Sequence, residues 1–475
     1  MPPIFSSDRL PTKEHYFKIK RLLNPDKNSR GIIYHRGADI ELRDDTDVEL
    51  DFRNESNFVY LTGVEEAGFH VVIDLFTDLV YLIPPTVPDN EVLWSGAPDN
   101  AAALLQKYDA DAIVSEADLP GLLMQIDPNV IHILDTTDTT ALCEAGVDFD
   151  RLEFTALKIA MHEARLTKFP WEIELVRYAC HISSHAHIAL MQHVKPRQME
   201  RELEARFRWE CARNGMHRQC YLPIVASGPR AATLHYTKNN QIIPSGPHSL
   251  VLVDAGGERR CYGSDVTRTF PSSGTFSPEA KTIYEIVLKA QEAVLEKLKP
   301  GVLWTDMHQL VVRILSHELV RIGILVNADP EELVEMGVIR AFYFHGTGHS
   351  VGLDVHDVGG RGAGILSCNS SAKNGKSSTS SSVSKQQLLT KPLEEHMVIT
   401  VEPGLYFNET SLAMWTKVPY LRKYFNMDRI EQYRPVGGVR IEDTVLITSD
   451  GIENLTIAPK TVKDIEAVMA LDRQH

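Results

Sequence analysis

The chain has 475 residues, 43% hydrophobic and 24% charged, an ordinary globular composition that excludes a mostly disordered chain and is too long for one compact core. Its 49 Lys and Arg against 64 Asp and Glu leave a net charge of −15, so neither nucleic acid nor an anionic membrane surface is an expected partner. Apolar runs such as Phe69 to Phe76 fall far short of the roughly 20 residues needed to cross a bilayer. The opening MPPIFSSDRLPTKEHYFKIKRLL resembles neither a secretory signal nor a transit peptide, and the closing DRQH matches no lipidation or peroxisomal signal. Six cysteines are scattered without a C-x-x-C pair, which points to a reducing compartment and an expected cytoplasmic address.

In chain order, short apolar runs come first: FVYLTG (58–63), FHVVIDLF (69–76), LVYLIP (79–84), AIVS (112–115) and VIHILD (130–135). They read as strands of a small α/β domain, with helix-like stretches such as Ala101–Tyr108 between them and a Pro-rich loop at 83–90. Residues 1–160 are assigned to this domain and 161–475 to the next. A helix is predicted from Pro170 through 194 and a second over Gln198–Arg213, stopped by Gly215. Strands follow at YLPIVASG, SLVLVDAG (249–256) and CYGSDVTRTF (261–270), then helices at about 277–299 and 305–323. The tail alternates predicted strands with glycine at 341–357, 397–407 and 436–448. Ser367 to Ser384 holds nine serines and almost no apolar residues, so about 366–386 reads as a surface insertion.

The chemistry concentrates in the second part. Asp254 ends the apolar run LVLVD, and Asp265 follows a short turn, where an antiparallel hairpin could bring the two carboxylates together. Two anions in a dry interior cost several kcal/mol each unless a cation neutralises them; taken alone, Asp254 could equally close a turn with the glycines after it. His345, His349 and His356 crowd into HGTGHSVGLDVHD (345–357), laced with glycines that let backbone approach a ligand. Glu402 ends MVITVE, and Glu442 interrupts VRIEDTVLI, where strand alternation puts Arg440 on the same face. Four acids and one imidazole suit a hard or borderline divalent ion, and the excess of carboxylates suits two ions.

The ordered set of DAG (254–256) with Asp265, HGTGHSVGLDVHD, VEPG (401–404) and GGVRIED (437–443) resembles the proline-specific metallopeptidases of the pita-bread fold, the aminopeptidase P and prolidase group. FRNESNFVYLTGVEEAG (52–68) resembles that group's creatinase-like N-terminal domain. The resemblance implies a small α/β N-terminal domain followed by a pita-bread (α+β) catalytic domain. It implies Asp254 as a ligand of the first metal, Asp265 and Glu442 as carboxylates bridging both ions, and His349 and Glu402 as ligands of the second. The implied cofactor is a pair of divalent ions per subunit, manganese first, with cobalt or zinc as alternatives. Glu402 resembles the general base, His345 and His356 the pair around the scissile bond, and His235 in LHYT a substrate-binding histidine. Tyr221 and Arg440 match positions that shape the site.

The expected reaction is release of the N-terminal residue from peptides with a penultimate proline. An X–Pro bond is a tertiary amide without N–H, and its ring fixes φ, which gives a carboxylate and histidine site a purpose. Prolidases of the animal type resemble the chain but carry an arginine after HDVGG; here Arg361 is the only nearby candidate, which favours the aminopeptidase over the Xaa-Pro dipeptidase alternative. A non-catalytic binding module and a methionine aminopeptidase relative are the remaining alternatives. Trp94 in VLWSG resembles an aromatic that reaches a neighbouring subunit's site in relatives, which implies a homodimer or larger assembly, although alone it reads as a core residue.

Overall fold

A computed structural model describes residues 9–23, 30–358 and 391–471; Arg361 and the serine-rich segment lie outside them. The chain divides between Arg165 and Leu166 into two compact units.

The first unit is built on a six-stranded sheet. Its strands are β1 (Gly31–Arg36), β2 (His70–Asp74), β3 (Val80–Ile83), β4 (Ala112–Ile113), β5 (Val130–His132) and β6 (Leu152–Glu153), in the order β4-β3-β2-β1-β5-β6. β1 runs antiparallel to β2 and parallel to β5. Ile32, Tyr34, Val72, Ile83 and Ile131 pack one face against Leu119 and Leu123 of the helix Leu119–Ile126. One expected strand is a helix: FVYLTG lies in Ser56–Thr62. The Glu55 side chain accepts from Phe58 N at its start, and Gly63 closes it at φ 69°. Its residues Phe58 to Leu61 are all buried, and an apolar run buried all round has the same sequence signature as a buried strand.

The second unit opens with the long helix Pro170–His193, where Pro170 occupies the first turn and Phe169 N donates to Glu172 Oε2 at 2.7 Å. The helix Glu200–Ala212 follows. Strands β7 (Ile224–Ser227) and β8 (Leu250–Asp254) then lead through a small ribbon, β9 (Glu258–Arg259) and β10 (Tyr262–Gly263), into β11 (Thr267–Pro271). These give a three-stranded antiparallel sheet in the order β11-β8-β7. The expected strand at 261–270 is therefore broken, with Asp265 in the gap between β10 and β11. Helices Pro278–Leu295 and Trp304–Arg321 cover the core.

The tail supplies β12 (Val398–Val401), β13 (Gly404–Tyr406), β14 (Gly438–Arg440), β15 (Asp443–Ile447) and β16 (Ile452–Asn454). β12 pairs with β15 so that Val401 faces Asp443, and β13 pairs with β14 so that Gly404 faces Arg440. The same antiparallel register continues across both pairs, interrupted only at residues 402–403 and 441–442.

The expected strand at 341–357 is not one. Val338–Ala341 forms a single 3-10 turn, and the rest is loop apart from one antiparallel bridge, Ser350 to Ile399, flanked by Thr400 N to His349 O at 2.8 Å and Glu402 N to Thr347 O at 2.8 Å. The glycines explain the difference. A Cβ on Gly348 would lie 2.0 Å from Thr400 O and 2.8 Å from the Trp304 ring, so the loop runs closer to β12 than a side chain permits.

Candidate metal centre

Four strand ends in the second unit, those of β8, β11, β12 and β15, deliver one acid each to a common interior point. Asp254 is the last residue of β8 and pairs with Thr267 across the sheet. Asp265 sits two residues before β11, fixed by Thr444, whose hydroxyl donates to Asp265 O at 2.7 Å. Glu402 follows β12, Glu442 precedes β15, and Thr267 forms a bridge to Glu442. His349 rests on the glycine loop with its N–H donating to Thr400 Oγ1 at 3.0 Å. All five side chains are buried.

Ligand atoms of Asp265, His349 and Glu442 lie within 4.8 Å of one another. His349 Nε2 is 3.4 Å from Asp265 Oδ2 and 3.6 Å from Glu402 Oε1. Asp254 joins from the other side: the Tyr221 hydroxyl is 2.6 Å from Asp254 Oδ1 and 2.5 Å from Asp265 Oδ1. Asp254 Oδ2 accepts from Arg440 Nη2 at 2.6 Å. Burial, then the charge of Asp254, holds Asp265 well above the usual carboxyl range. Burial and Asp265 do the same to Glu442, and burial and Glu442 to Glu402. Burial and the two aspartates likewise push the Tyr221 phenol up.

These groups fit a divalent cation. Glu402 Oε1 is buried without a hydrogen-bond partner, facing the His349 imidazole. Buried carboxylates this close cannot all ionise without a compensating positive charge, and the donor set of carboxylate oxygens and one imidazole is that of a hard or borderline ion.

The other expected residues surround this nest. His345 Nδ1 is 3.7 Å from Glu402 Oε2, and its Nε2 is hydrogen-bonded to the Tyr406 hydroxyl at 2.8 Å. Burial, then Arg440, pushes His345 down to about 3. The His356 ring meets that of His349 edge-on with centroids 4.4 Å apart; packing around it, then His349, pushes it down to about 4 although its outer edge is exposed. His235 is exposed on the turn after the 3-10 helix Gly228–Ala232, near enough to contribute to the lowering of both His345 and His356.

Two residues were not anticipated. Thr267 donates to Glu442 Oε2 at 2.7 Å and accepts from Arg440 Nε at 3.2 Å. Tyr406 accepts from Arg440 Nη1 at 3.1 Å. In the sequence Thr267 looks like an ordinary strand threonine; the only signal for Tyr406 is its place two residues after the glycine of VEPG. Trp94 is 90% exposed, on a helix Asp89–Ser95 that buries none of its residues, so it is not a core residue.

Metallopeptidase family M24 matches residues 174–449, and the aminopeptidase P N-terminal domain matches residues 15–130. The chain belongs to metallopeptidase family M24. It is 38% identical over 468 residues to a probable Xaa-Pro aminopeptidase of Paracoccidioides brasiliensis, covering 96% of each chain. It is 37% identical over 465 residues to a probable Xaa-Pro aminopeptidase of Sordaria macrospora, covering 97% of this chain and 96% of the relative. Among solved structures, aminopeptidase PepP of Pseudomonas aeruginosa aligns with a TM-score of 0.79 at 32% identity, covering 98% of this chain and all of that one. Aminopeptidase P of Escherichia coli with the inhibitor Pro-Leu aligns with a TM-score of 0.81 at 29% identity, with the same 98% coverage of this chain. The fold is thus the expected one, an aminopeptidase P-type α/β domain followed by the M24 catalytic domain.

Proposed function

We propose that this chain is a metal-dependent Xaa-Pro aminopeptidase, a hydrolase that releases an N-terminal residue preceding proline. The observation that carries this reading is the match to curated Xaa-Pro aminopeptidases over 96% of the chain, with the acid and histidine nest inside the matched region.

Asp254, Asp265, His349, Glu402 and Glu442 would hold two divalent ions, manganese being the expected metal and cobalt or zinc the alternatives. Ions held there lower the pKa of water and polarise a carbonyl oxygen. Glu402 serves as the general base and carries the proton to the proline nitrogen, a leaving group that must be protonated because it is a secondary amine. His356 donates to the oxyanion that forms on the scissile carbonyl. His345 is oriented by the Tyr406 hydroxyl, and His235 holds the substrate backbone. Arg440 and Tyr221 keep the Asp254 carboxylate in place, and the peptide's free α-amino group binds on that side. Phe344, 38% exposed and beside the Tyr406 ring, offers an apolar wall to the proline ring.

The substrates are proline-containing peptides longer than two residues; strict Xaa-Pro dipeptidase activity is the second reading. A comparison of Gly-Pro with Arg-Pro-Pro, each with Mn²⁺ added, decides. Faster release of Arg from the tripeptide supports the aminopeptidase, exclusive cleavage of Gly-Pro supports the dipeptidase, and inertness toward both with no metal bound overturns the enzyme reading. The protein is proposed to be cytoplasmic, supported by five free cysteines among the described residues. No described helix is long and apolar enough to cross a membrane. It is proposed to be a homodimer, with a second copy covering Leu93 and Trp94, which are 85% and 90% exposed. Sedimentation of a monomer alone removes that proposal.

A further inference from the structure

The register shared by the two strand pairs places Glu402 opposite Glu442, since Val401 faces Asp443 on one side and Gly404 faces Arg440 on the other. Both acids stand where the ladder is interrupted. Within the gap only Ile441 N to Pro403 O, at 3.3 Å, links the two runs; Pro403 has no N–H to return, so Ile441 O needs another donor, while Val401 O lies at the last paired position before the gap, facing Asp443.

One side chain reaches both carbonyls. Gln291 is fully buried in the helix Pro278–Leu295, and its Nε2 donates to Val401 O and to Ile441 O, each at 3.2 Å. The orientation of the amide is fixed chemically, because Lys460 Nζ, which can only donate, is 3.0 Å from Gln291 Oε1. Lys460 also binds Asp443 Oδ2, and Arg268, fully buried, binds Asp443 Oδ1 at 2.7 Å and Glu442 O at 2.7 Å. The peptide that carries Glu442 is thereby held at the carbonyl before it and at its own.

We infer that Gln291 is a positioning residue of the metal centre: its amide ties together the backbones of Glu402 and Glu442 and sets the separation of their carboxylates. It touches neither substrate nor reacting atoms. The inference rests on the metal-centre reading above and adds a residue that lies outside that centre, on the far side of the strands. A spacing held by two hydrogen bonds from one rigid planar group is what a multi-ligand ion site needs from its support.

The test uses the full chain stripped with chelator, titrated calorimetrically with Mn²⁺, alongside thermal unfolding of the stripped protein. Gln291→Met keeps the length and apolar stem without either donor. Gln291→Asn keeps the amide on a shorter stem, and Gln291→Glu retains the shape and can offer at most one donor. The expected result for Q291M is a folded stripped protein whose Mn²⁺ affinity falls about 10- to 100-fold, with Q291E falling between it and the parent. If Q291M does not fold, Q291N is read in the same way. Unchanged Mn²⁺ affinity in a folded variant overturns the inference, as does failure of all the variants to fold, which would make Gln291 a stability residue only. Failure of the parent chain to bind Mn²⁺ would instead overturn the metal-centre reading on which it rests.

Discussion

Arg440 donates through Nη2 to Asp254 Oδ2 at 2.6 Å, joining the end of β14 to the end of β8, 186 residues apart in the sequence. The pair is buried, so the guanidinium is not a surface ornament; it offsets part of the negative charge that four acids bring to one point. That excess of acid over base governs what the site does with protons and cations.

Removing an acid at the centre should remove the cation. Asp265→Ala and Glu442→Ala are each expected to lose bound Mn²⁺ and to lower kcat/KM by on the order of 10³-fold or more. Metal content by elemental analysis is measured beside turnover of Arg-Pro-Pro. Near-normal turnover in either variant would falsify the bridging assignment.

His356→Ala separates a ligand from a proton donor. Because His356 meets His349 only edge-on and its outer edge is exposed, metal content should stay at the parent level. Turnover should fall by about 10²- to 10³-fold, mainly in kcat, as a lost oxyanion donor predicts. Loss of metal in this variant would make His356 a ligand.

Protonation should oppose metal. Asp265, Glu442 and Glu402 have their pKa values raised well above the ordinary range by burial and then by a neighbouring acid, Asp254 for Asp265, Asp265 for Glu442 and Glu442 for Glu402, so the stripped protein holds protons that a cation must displace. Titration of Mn²⁺ in buffers of different ionisation enthalpy should show proton release, and affinity should rise with pH. The same shifts act on stability. A carboxyl whose folded pKa is raised contributes fully below its unfolded value near 4, and that contribution is lost as pH rises through the folded value. His345 and His356, lowered to about 3 and about 4, act in the opposite sense, but only below the ordinary histidine value of about 6.5. As pH rises through the raised carboxyl values, the stripped protein should therefore lose stability in urea while the Mn²⁺-loaded protein does not. Equal pH profiles for the two forms would contradict this account.

Gly348 tests the loop rather than the ligands. An added Cβ meets Thr400 O at 2.0 Å, a backbone atom that cannot yield without moving β12. Gly348→Ala should cost about 3 kcal/mol or more of stability in the metal-free chain, measured by urea unfolding. Gly246→Ala is the contrast for space, since nothing lies within 4 Å of its would-be Cβ and its φ is outside the left-handed region, so its urea unfolding should stay near that of the parent.

The acids at the ends of apolar runs were legible because a carboxylate closing LVLVD or MVITVE contradicts its surroundings, and three histidines among glycines contradict a plain strand. What misled was periodicity. The apolar run of FVYLTG is a buried helix, and the run at 341–357 is a loop with a single antiparallel bridge to β12, Ser350 to Ile399, which its glycines allow to approach closely.

By itself the amino-acid order determined the class of catalytic unit, since the types of ligand, their sequence of appearance and the strand ends that carry them are local properties of short motifs. Only the tertiary structure decided which groups support them. Gln291 sits inside a helix and Thr267 opens β11, with nothing unusual in their neighbours. Each acquires its part from long-range hydrogen bonds, to Val401 and Ile441 for one and to Glu442 and Arg440 for the other. Ligand chemistry is carried by the side chain and is visible in the sequence; the support of a ligand depends on which distant groups the fold brings within hydrogen-bonding reach.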